Sequence, residues 1–259
     1  MTAPQVVVHS TPDLLAKAVA ARLVTRLVDA QAARGAASVV LTGGTIGIAV
    51  LEELRDNPAR DAVDWRRLDV WWGDERFVPA DDEQRNDLQA RRSLLDAVRL
   101  DPDRVHPFPS ADGSLRDDPE AAAELYAREL ADASRPEDHD DVPRFDVLLL
   151  GMGEEGHVAS IFPESPAAYD DRAVVAVRGC PKPPPTRLSM TFRTIGAATE
   201  VWLVVAGAAK APAVALALGG AGPVQVPAAG ARGRQRTLWL LDRAAASRLP
   251  ASLVRLPVG

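Results

Sequence analysis

The sequence predicts an α/β protein: a mostly parallel sheet covered by helices on both faces, a three-layer α/β/α arrangement. Three observations carry that expectation. Strand-like apolar runs alternate with helix-like periodic segments from end to end, the pattern that builds parallel sheets from βαβ units. Several of these runs end directly in glycine-rich or charged turns, as they do at the carboxyl edge of such sheets, where ligands bind. Finally, 259 residues with 47% hydrophobic and 25% charged side chains are ordinary for a globular domain of this size.

Val6–His9 reads as a first strand, and the N-terminus lacks the charged region and apolar core of a secretion signal. Thr11-Pro12-Asp13 marks a helix start, with a capping hydroxyl and a proline in the first turn. Leu15, Val19, Leu23, Leu27 and Ala30 fall on one stripe at helical spacing, carrying this helix to about Ala33 before Gly35 ends it. Ala37–Leu41 is a second strand, leading into the turn Thr42-Gly43-Gly44-Thr45 and a helix over about Ile46–Leu54. Leu68–Trp72 is a third strand and opens onto a charged loop, Gly73-Asp74-Glu75-Arg76.

Asn86–Leu95 reads as helix, Val105–Pro107 as a short strand and Pro119–Leu130 as an alanine-rich helix. An acidic, exposed loop over Ser134–Val142 then leads to the central strand, Phe145–Leu150. Further strands are expected at Ala173–Val177, Arg187–Thr191, Glu200–Val205 and Thr237–Leu241, with a helix over about Ala208–Leu218. Pro181–Pro185 must be an extended connector, because consecutive prolines cannot join a central ladder. Gly219–Gly233 reads as a mobile loop. Neither an internal repeat nor a composition break divides the chain, so one domain over 1–259 is expected.

Bulk properties exclude several function classes. A net charge of −6 gives no electrostatic footprint for nucleic acid. No apolar run approaches membrane-spanning length, so neither membrane nor nucleic acid is expected as a partner, and the location expected is cytoplasmic. Cys180 is the single cysteine, which rules out an intramolecular disulfide and a cysteine-based zinc site. His9, His106, His139 and His157 show no metal-ligand spacing among themselves.

Four segments can carry chemistry. The first is Thr42–Gly47, where a strand, a Gly-Gly turn and a helix leave backbone N–H groups converging at a positive helix end, a cradle for phosphate. It lacks the Gly-Lys-Ser/Thr ending of a nucleotide-binding loop. The plainer alternative is a tight turn with Thr45 as helix cap. In the second, Asp74 can accept a proton or bind sugar hydroxyls, and Arg76 can hold an anion or a developing oxyanion. Here the alternative is a solvated loop with an internal ion pair.

The third is Gly151-Met-Gly-Glu-Glu-Gly-His157. It spells the dinucleotide fingerprint, but Pro163 stops any helix that begins after it, and no acid ends the next strand. The glycines are better read as turning the backbone so that His157 faces a pocket, with Glu155 fixing its tautomer and raising its basicity. A structural histidine capping a short helix is the alternative. The fourth is the pair Arg187 and Lys210; a lysine at a helix start opposes the macrodipole unless an anion sits nearby.

Taken in order, Leu41-Thr-Gly-Gly-Thr45, Val70-Trp-Trp-Gly-Asp-Glu-Arg-Phe-Val-Pro79, Leu149–Pro163, Pro185-Thr-Arg-Leu-Ser-Met190 and Val204–Ala211 resemble the lactonase branch of the glucosamine-6-phosphate deaminase/6-phosphogluconolactonase family. The resemblance spans nearly the whole chain. It implies a fold similar to glucosamine-6-phosphate deaminase and ribose-5-phosphate isomerase. It also implies hydrolysis of 6-phospho-D-glucono-1,5-lactone without metal or organic cofactor, by a monomer or small homo-oligomer.

On that reading His157 is the general base, oriented by Glu155, and Asp74 assists it or positions hydroxyls. Arg76 or neighbouring N–H groups meet the oxyanion. Thr42, Gly43, Gly44, Thr45, Arg187 and Lys210 hold the phosphate. Two places depart from the family pattern: Thr42-Gly-Gly-Thr45-Ile-Gly47 replaces the usual Ser-Gly-Gly-Ser/Thr-Thr-Pro, and Glu155-Gly-His157-Val158 replaces Asp-Gly-His-Thr. A sugar-phosphate isomerase or deaminase using the same pocket, and a non-catalytic sugar-phosphate sensor, are the alternatives.

Overall fold

A computed structural model describes residues 3–138 and 140–253, so His139 lies outside the described residues. In chain order the strands are β1 (Gln5–His9), β2 (Ala37–Leu41), β3 (Leu68–Trp72), β4 (Asp74–Arg76) and β5 (Val105–His106), then β6 (Val147–Leu150), β7 (Val174–Val177), β8 (Arg187–Met190), β9 (Glu200–Val205) and β10 (Arg236–Asp242). The α-helices are α1 (Pro12–Arg34), α2 (Gly44–Arg55), α3 (Asn86–Ser93), α4 (Pro119–Ala133), α5 (Phe192–Ile195) and α6 (Ala211–Leu218).

Seven strands form one sheet in the order β1-β10-β9-β6-β2-β3-β5. Every pairing in it is parallel. All residues of β6 and β9 are buried, which explains why they read as unbroken apolar runs rather than alternating ones. The expected features of α1 are all present. Thr11 accepts the Leu14 N–H, Pro12 opens the first turn, and the Gly35 N–H closes the last by reaching Gln31 O. Leu15, Val19, Leu23, Leu27 and Ala30 are all buried on the stripe facing the core. Among the described residues no helix is long and apolar enough to cross a membrane.

At the amino edge of the sheet, two buried carboxylates gather the cations around them. Arg236 and Arg26 both reach Glu200, which also accepts the Trp202 indole N–H at 2.8 Å. Asp146 is held by Arg34 and by the Ser38 N–H. Ion pairs thus cluster at this amino edge.

The structure corrects several sequence expectations. Gly73–Arg76 is not a free loop: Asp74–Arg76 forms β4, which joins β8 and β7 in a second, antiparallel sheet of order β4-β8-β7. Three consecutive charged residues have poor strand propensity, and only the pairing with β8 makes them extended. β7 and β8 therefore lie outside the parallel sheet, paired with each other and through β8 with β4. No helix begins at His157; Ala159 adopts a left-handed φ of 48° and the chain makes a tight Val158–Ile161 bridge instead. Gly219–Gly233 is packed rather than loose, with Val226 and Ala228 buried and the Ala228 N–H bonded to Gly156 O at 2.9 Å.

The outer strands of the sheet depend on one buried phenol. Tyr126 of α4 is fully buried; its hydroxyl accepts the Trp72 N–H at 3.2 Å and donates to His106 O at 3.0 Å. Phenylalanine at 126 leaves both backbone groups without that partner. The Tyr126→Phe variant is expected to lose about 1–3 kcal/mol of unfolding free energy, read as a lower denaturant midpoint at unchanged m-value. A wild-type midpoint would show that the hydroxyl is dispensable.

Candidate active site

The cleft opens where the strand order reverses. β2 leads outward to β3 while its other neighbour, β6, lies beside β9, so the turns after β2 and β6 diverge and leave a crevice between them. A cavity of about 780 Å³ occupies it, a size suited to a small phosphorylated metabolite. Thr42, Gly43, Gly44, Thr45, Asp74, Arg76, His157, Arg187 and Lys210 all line this one cavity. Glu155 stands behind His157, bonded to its ring.

The Gly-Gly turn is shaped by its neighbours. Gly43 is the N-cap of α2 and supplies no side-chain cap, so the first N–H groups of the helix face the cleft without a partner from that position. Thr45 is therefore within the first turn, not its cap. Thr42 Oγ1 accepts the Gly151 N–H at 3.2 Å, fastening the end of β2 to the end of β6. That bond uses the oxygen as acceptor and leaves the hydroxyl proton for a ligand. A Cβ at Gly43 would lie 1.9 Å from Asn86 Oδ1, so only glycine admits Asn86 there.

Asn86 is a cleft residue that sequence reasoning missed. It is buried, its amide donates to Asp74 O at 2.9 Å, and its Oδ1 accepts from Arg76 Nη1. It thereby joins the Gly-Gly turn to β4. Its sequence signal, an Asn at a helix start, reads as a cap and conceals the tertiary role.

Pleating sorts the charged triplet in β4. Side chains alternate across a strand, so Asp74 and Arg76 face the cleft while Glu75 points the other way into the interior. Asp74 Oδ2 accepts the Ser160 hydroxyl at 2.7 Å. Arg76 Nη1 also donates to Gln84 O at 2.7 Å, and its Nε is buried without a partner. Glu75 is fully buried and accepts N–H groups from Arg76, Asn86 and Asp87, so it holds the N-terminus of α3 in place. Burial pushes its carboxyl up to about 7 despite the nearby Arg85 and those donors.

His157 is positioned by its own turn. Its backbone oxygen accepts the Gly153 N–H at 2.9 Å, and a Cβ at Gly153 would fall 2.0 Å from Nδ1 of the imidazole. The ring lies against Phe162, with centroids 4.5 Å apart. Nδ1 meets Glu155 Oε1 at 2.8 Å. The hydrogen bond to His157 is the main reason the Glu155 carboxyl is lowered to about 2. An ionised carboxylate only accepts, so Nδ1 carries the proton of this bond, and in the neutral ring Nε2 is the nitrogen with the lone pair. The extra methylene of Glu155 thus still reaches the imidazole. Val158 is fully buried in the bridge to Ile161, so the position where the family pattern has a hydroxyl does not face the cleft.

Arg187 and Lys210 both reach the cavity but differ in freedom. The Arg187 guanidinium is buried and donates to the carbonyls of Lys182, Pro183 and Pro184, so it shapes the proline connector while facing the cleft. Lys210 is the N-cap of α6. Burial and then the nearby Lys182 ammonium lower its pKa, a strain that an anion in the cleft would relieve.

A family model described as glucosamine-6-phosphate isomerases/6-phosphogluconolactonase matches residues 10–239. The chain belongs to this family. It is 61% identical over 251 residues to the 6-phosphogluconolactonase of Streptomyces coelicolor, covering 96% of each chain. Identity to the Mycobacterium tuberculosis 6-phosphogluconolactonase is 51% over 240 residues, 92% of this chain and 96% of the other. Among solved structures, the Trypanosoma brucei 6-phosphogluconolactonase matches with a TM-score of 0.83 at 30% identity, over 96% of this chain and 100% of that one. A monomeric glucosamine-6-phosphate deaminase shares the fold, with a TM-score of 0.75 at 22% identity over 94% and 99% of the two chains.

The lowered Glu155 carboxyl has a pH signature. Its folded value lies below its ordinary 4.5, so the stabilisation it brings is complete above about pH 4.5 and is lost as pH falls toward about 2. Glu155→Gln removes this titration, and its melting temperature is expected to fall less steeply than wild type between those limits. Parallel slopes for the two proteins would show that the pair contributes no acid-linked stability.

Proposed function

We propose that this chain hydrolyses 6-phospho-D-glucono-1,5-lactone to 6-phospho-D-gluconate, a step of the oxidative pentose phosphate pathway. The observation that carries this reading is the joint occurrence of an oriented imidazole, an uncapped helix N-terminus and a half-buried lysine on one cleft. The relatives named above are 6-phosphogluconolactonases along nearly their full length. A single domain over 1–259 goes with this function, since the family match over 10–239 includes every segment that lines the cleft. The enzyme would then work in the cytoplasm, alongside its sugar-phosphate substrate.

The phosphate rests on the N–H groups at the start of α2, with Thr42 donating its hydroxyl and Lys210 supplying the counter-charge. Arg187 adds a second cation while it holds the connector. Nε2 of His157 takes a proton from water as the water oxygen bonds to the lactone carbonyl carbon. The carbonyl oxygen becomes an oxyanion, met by Arg76 or by backbone N–H groups of the turns. The bond from the former carbonyl carbon to the ring oxygen then breaks, and the imidazolium returns its proton to that oxygen. Asp74, fixed by Ser160, positions sugar hydroxyls or assists the histidine.

Turnover is read with freshly made lactone, corrected for spontaneous opening. His157→Ala is expected to lower kcat by about 10²–10⁴-fold, the usual yield of general acid–base catalysis. Lys210→Ala, by contrast, is expected to raise KM mainly, because phosphate contacts bind ground state and transition state alike. Full turnover by the His157 variant, or an unchanged KM for the lysine variant, would contradict the assigned role. Ammonia release from glucosamine 6-phosphate in place of lactone hydrolysis would replace this reading with the deaminase one.

A further inference from the structure

The proline connector carries a cation that none of the sequence motifs singled out. Lys182 Nζ lies 3.3 Å from Glu155 Oε2, while the other oxygen of the same carboxylate engages His157 Nδ1 at 2.8 Å. We propose that Lys182 is a positioning residue for the His157–Glu155 pair: it holds the carboxylate against the imidazole and tempers its charge. The proposal rests on His157 being the base, and it adds to that reading a residue that reaches the imidazole through Glu155.

The backbone around Lys182 is built to hold such a contact. Three successive carbonyls, those of Lys182, Pro183 and Pro184, converge on the buried Arg187 guanidinium at 3.2, 3.1 and 2.9 Å. The Cys180 N–H closes the segment onto Pro185 O at 2.9 Å. A proline-rich strap pinned at these points has little backbone freedom left. The lysine stem leaves it from a fixed origin, and Lys182 itself lines the cleft.

The ammonium is half exposed, so its ion pair contributes little to stability. Its effect on the imidazole is a different quantity. A carboxylate beside an imidazole favours the imidazolium, and a cation on the far oxygen offsets part of that pull. Removing the cation therefore extends the imidazolium, the inactive form of a base, to higher pH. Other charged groups face the same space: Asp74 and Arg76 from β4, Arg187 from β8 and Lys210 at the start of α6, with Glu154 on the histidine's own turn. These residues all remain when 182 is substituted, but Lys210 is relieved of its repulsion by Lys182. A more fully charged Lys210 disfavours the imidazolium, so that change works against the upward shift and cannot produce it.

The test is the pH profile of kcat/KM for wild type, Lys182→Met, Lys182→Arg and His157→Ala, with thermal unfolding of each. Methionine keeps the stem and removes the charge. In the Met variant the acid limb is expected to move up by about half a pH unit, the size set by a partly screened ion pair, with a several-fold lower kcat. Arginine is expected to return the limb toward wild type. An acid limb that stays put in Lys182→Met overturns the proposal, whether kcat and melting temperature fall together or KM alone rises. A His157→Ala enzyme with full turnover would remove the base, and the proposal with it, which separates that failure from the failure of Lys182 alone.

Discussion

The single contact on which the site depends is the one between Thr42 Oγ1 and the Gly151 N–H. β2 and β6 pair only through Val39 with Val147 and Val40 with Leu148, so regular pairing stops before either strand reaches its turn. Beyond that point the two segments must diverge for a crevice to exist, yet remain close enough for the N–H groups of one turn and the imidazole of the other to line one cavity. The threonine hydroxyl sets that separation. One of the turns it joins carries the helix start, and the other carries the histidine.

The third wall of the cleft is brought in by the small antiparallel sheet. A parallel sheet alone can offer a ligand only the turns at its strand ends, and β3 would otherwise release Asp74 and Arg76 into solvent. Pairing β4 with β8 keeps them extended, so the pleat turns both toward the cavity and Glu75 inward. The buried carboxylate then anchors α3, α3 presents Asn86, and Asn86 occupies the space that Gly43 leaves open. Chemistry and packing are therefore joined in one chain of contacts from the second sheet to the first turn. An apolar residue at 75 would relieve a costly burial, but it would also release the helix start that places Asn86.

Much of this was legible in the sequence, for definite reasons. β2, β3 and β9 have the boundaries expected from their apolar runs, because strands buried on both faces leave an uninterrupted signal. α1 was legible from its cap, its stripe and its terminal glycine. The glycine turns disclosed the cleft because tight turns at strand ends demand that residue. The features that stayed hidden were tertiary in origin. β4 consists of charged residues that only a partner strand makes extended, and Asn86 looks like any residue at a helix start. The shared carboxylate of Glu155 and the folded proline strap depend on contacts between segments far apart in sequence, for which a single chain has no local mark.

The charge distribution in the cleft explains why so many polar groups are tolerated there. Burial and the Lys182 ammonium weaken the preference of Lys210 for its charged state, and Glu155, at about 2, stays ionised throughout the physiological range. Arg76 keeps a buried Nε without a partner. An unpaired buried group such as that Nε weakens the fold by about 1–3 kcal/mol, whereas Glu155 has its partners in His157 and Lys182. Lys210, by contrast, lines the cavity, where an anionic ligand would offset both its desolvation and its repulsion by Lys182. The charges in the cleft are also ordered. Lys210 and the connector's Lys182 and Arg187 bring cations to the cavity, while the ionised carboxylate of Glu155 is directed at Nδ1 of His157.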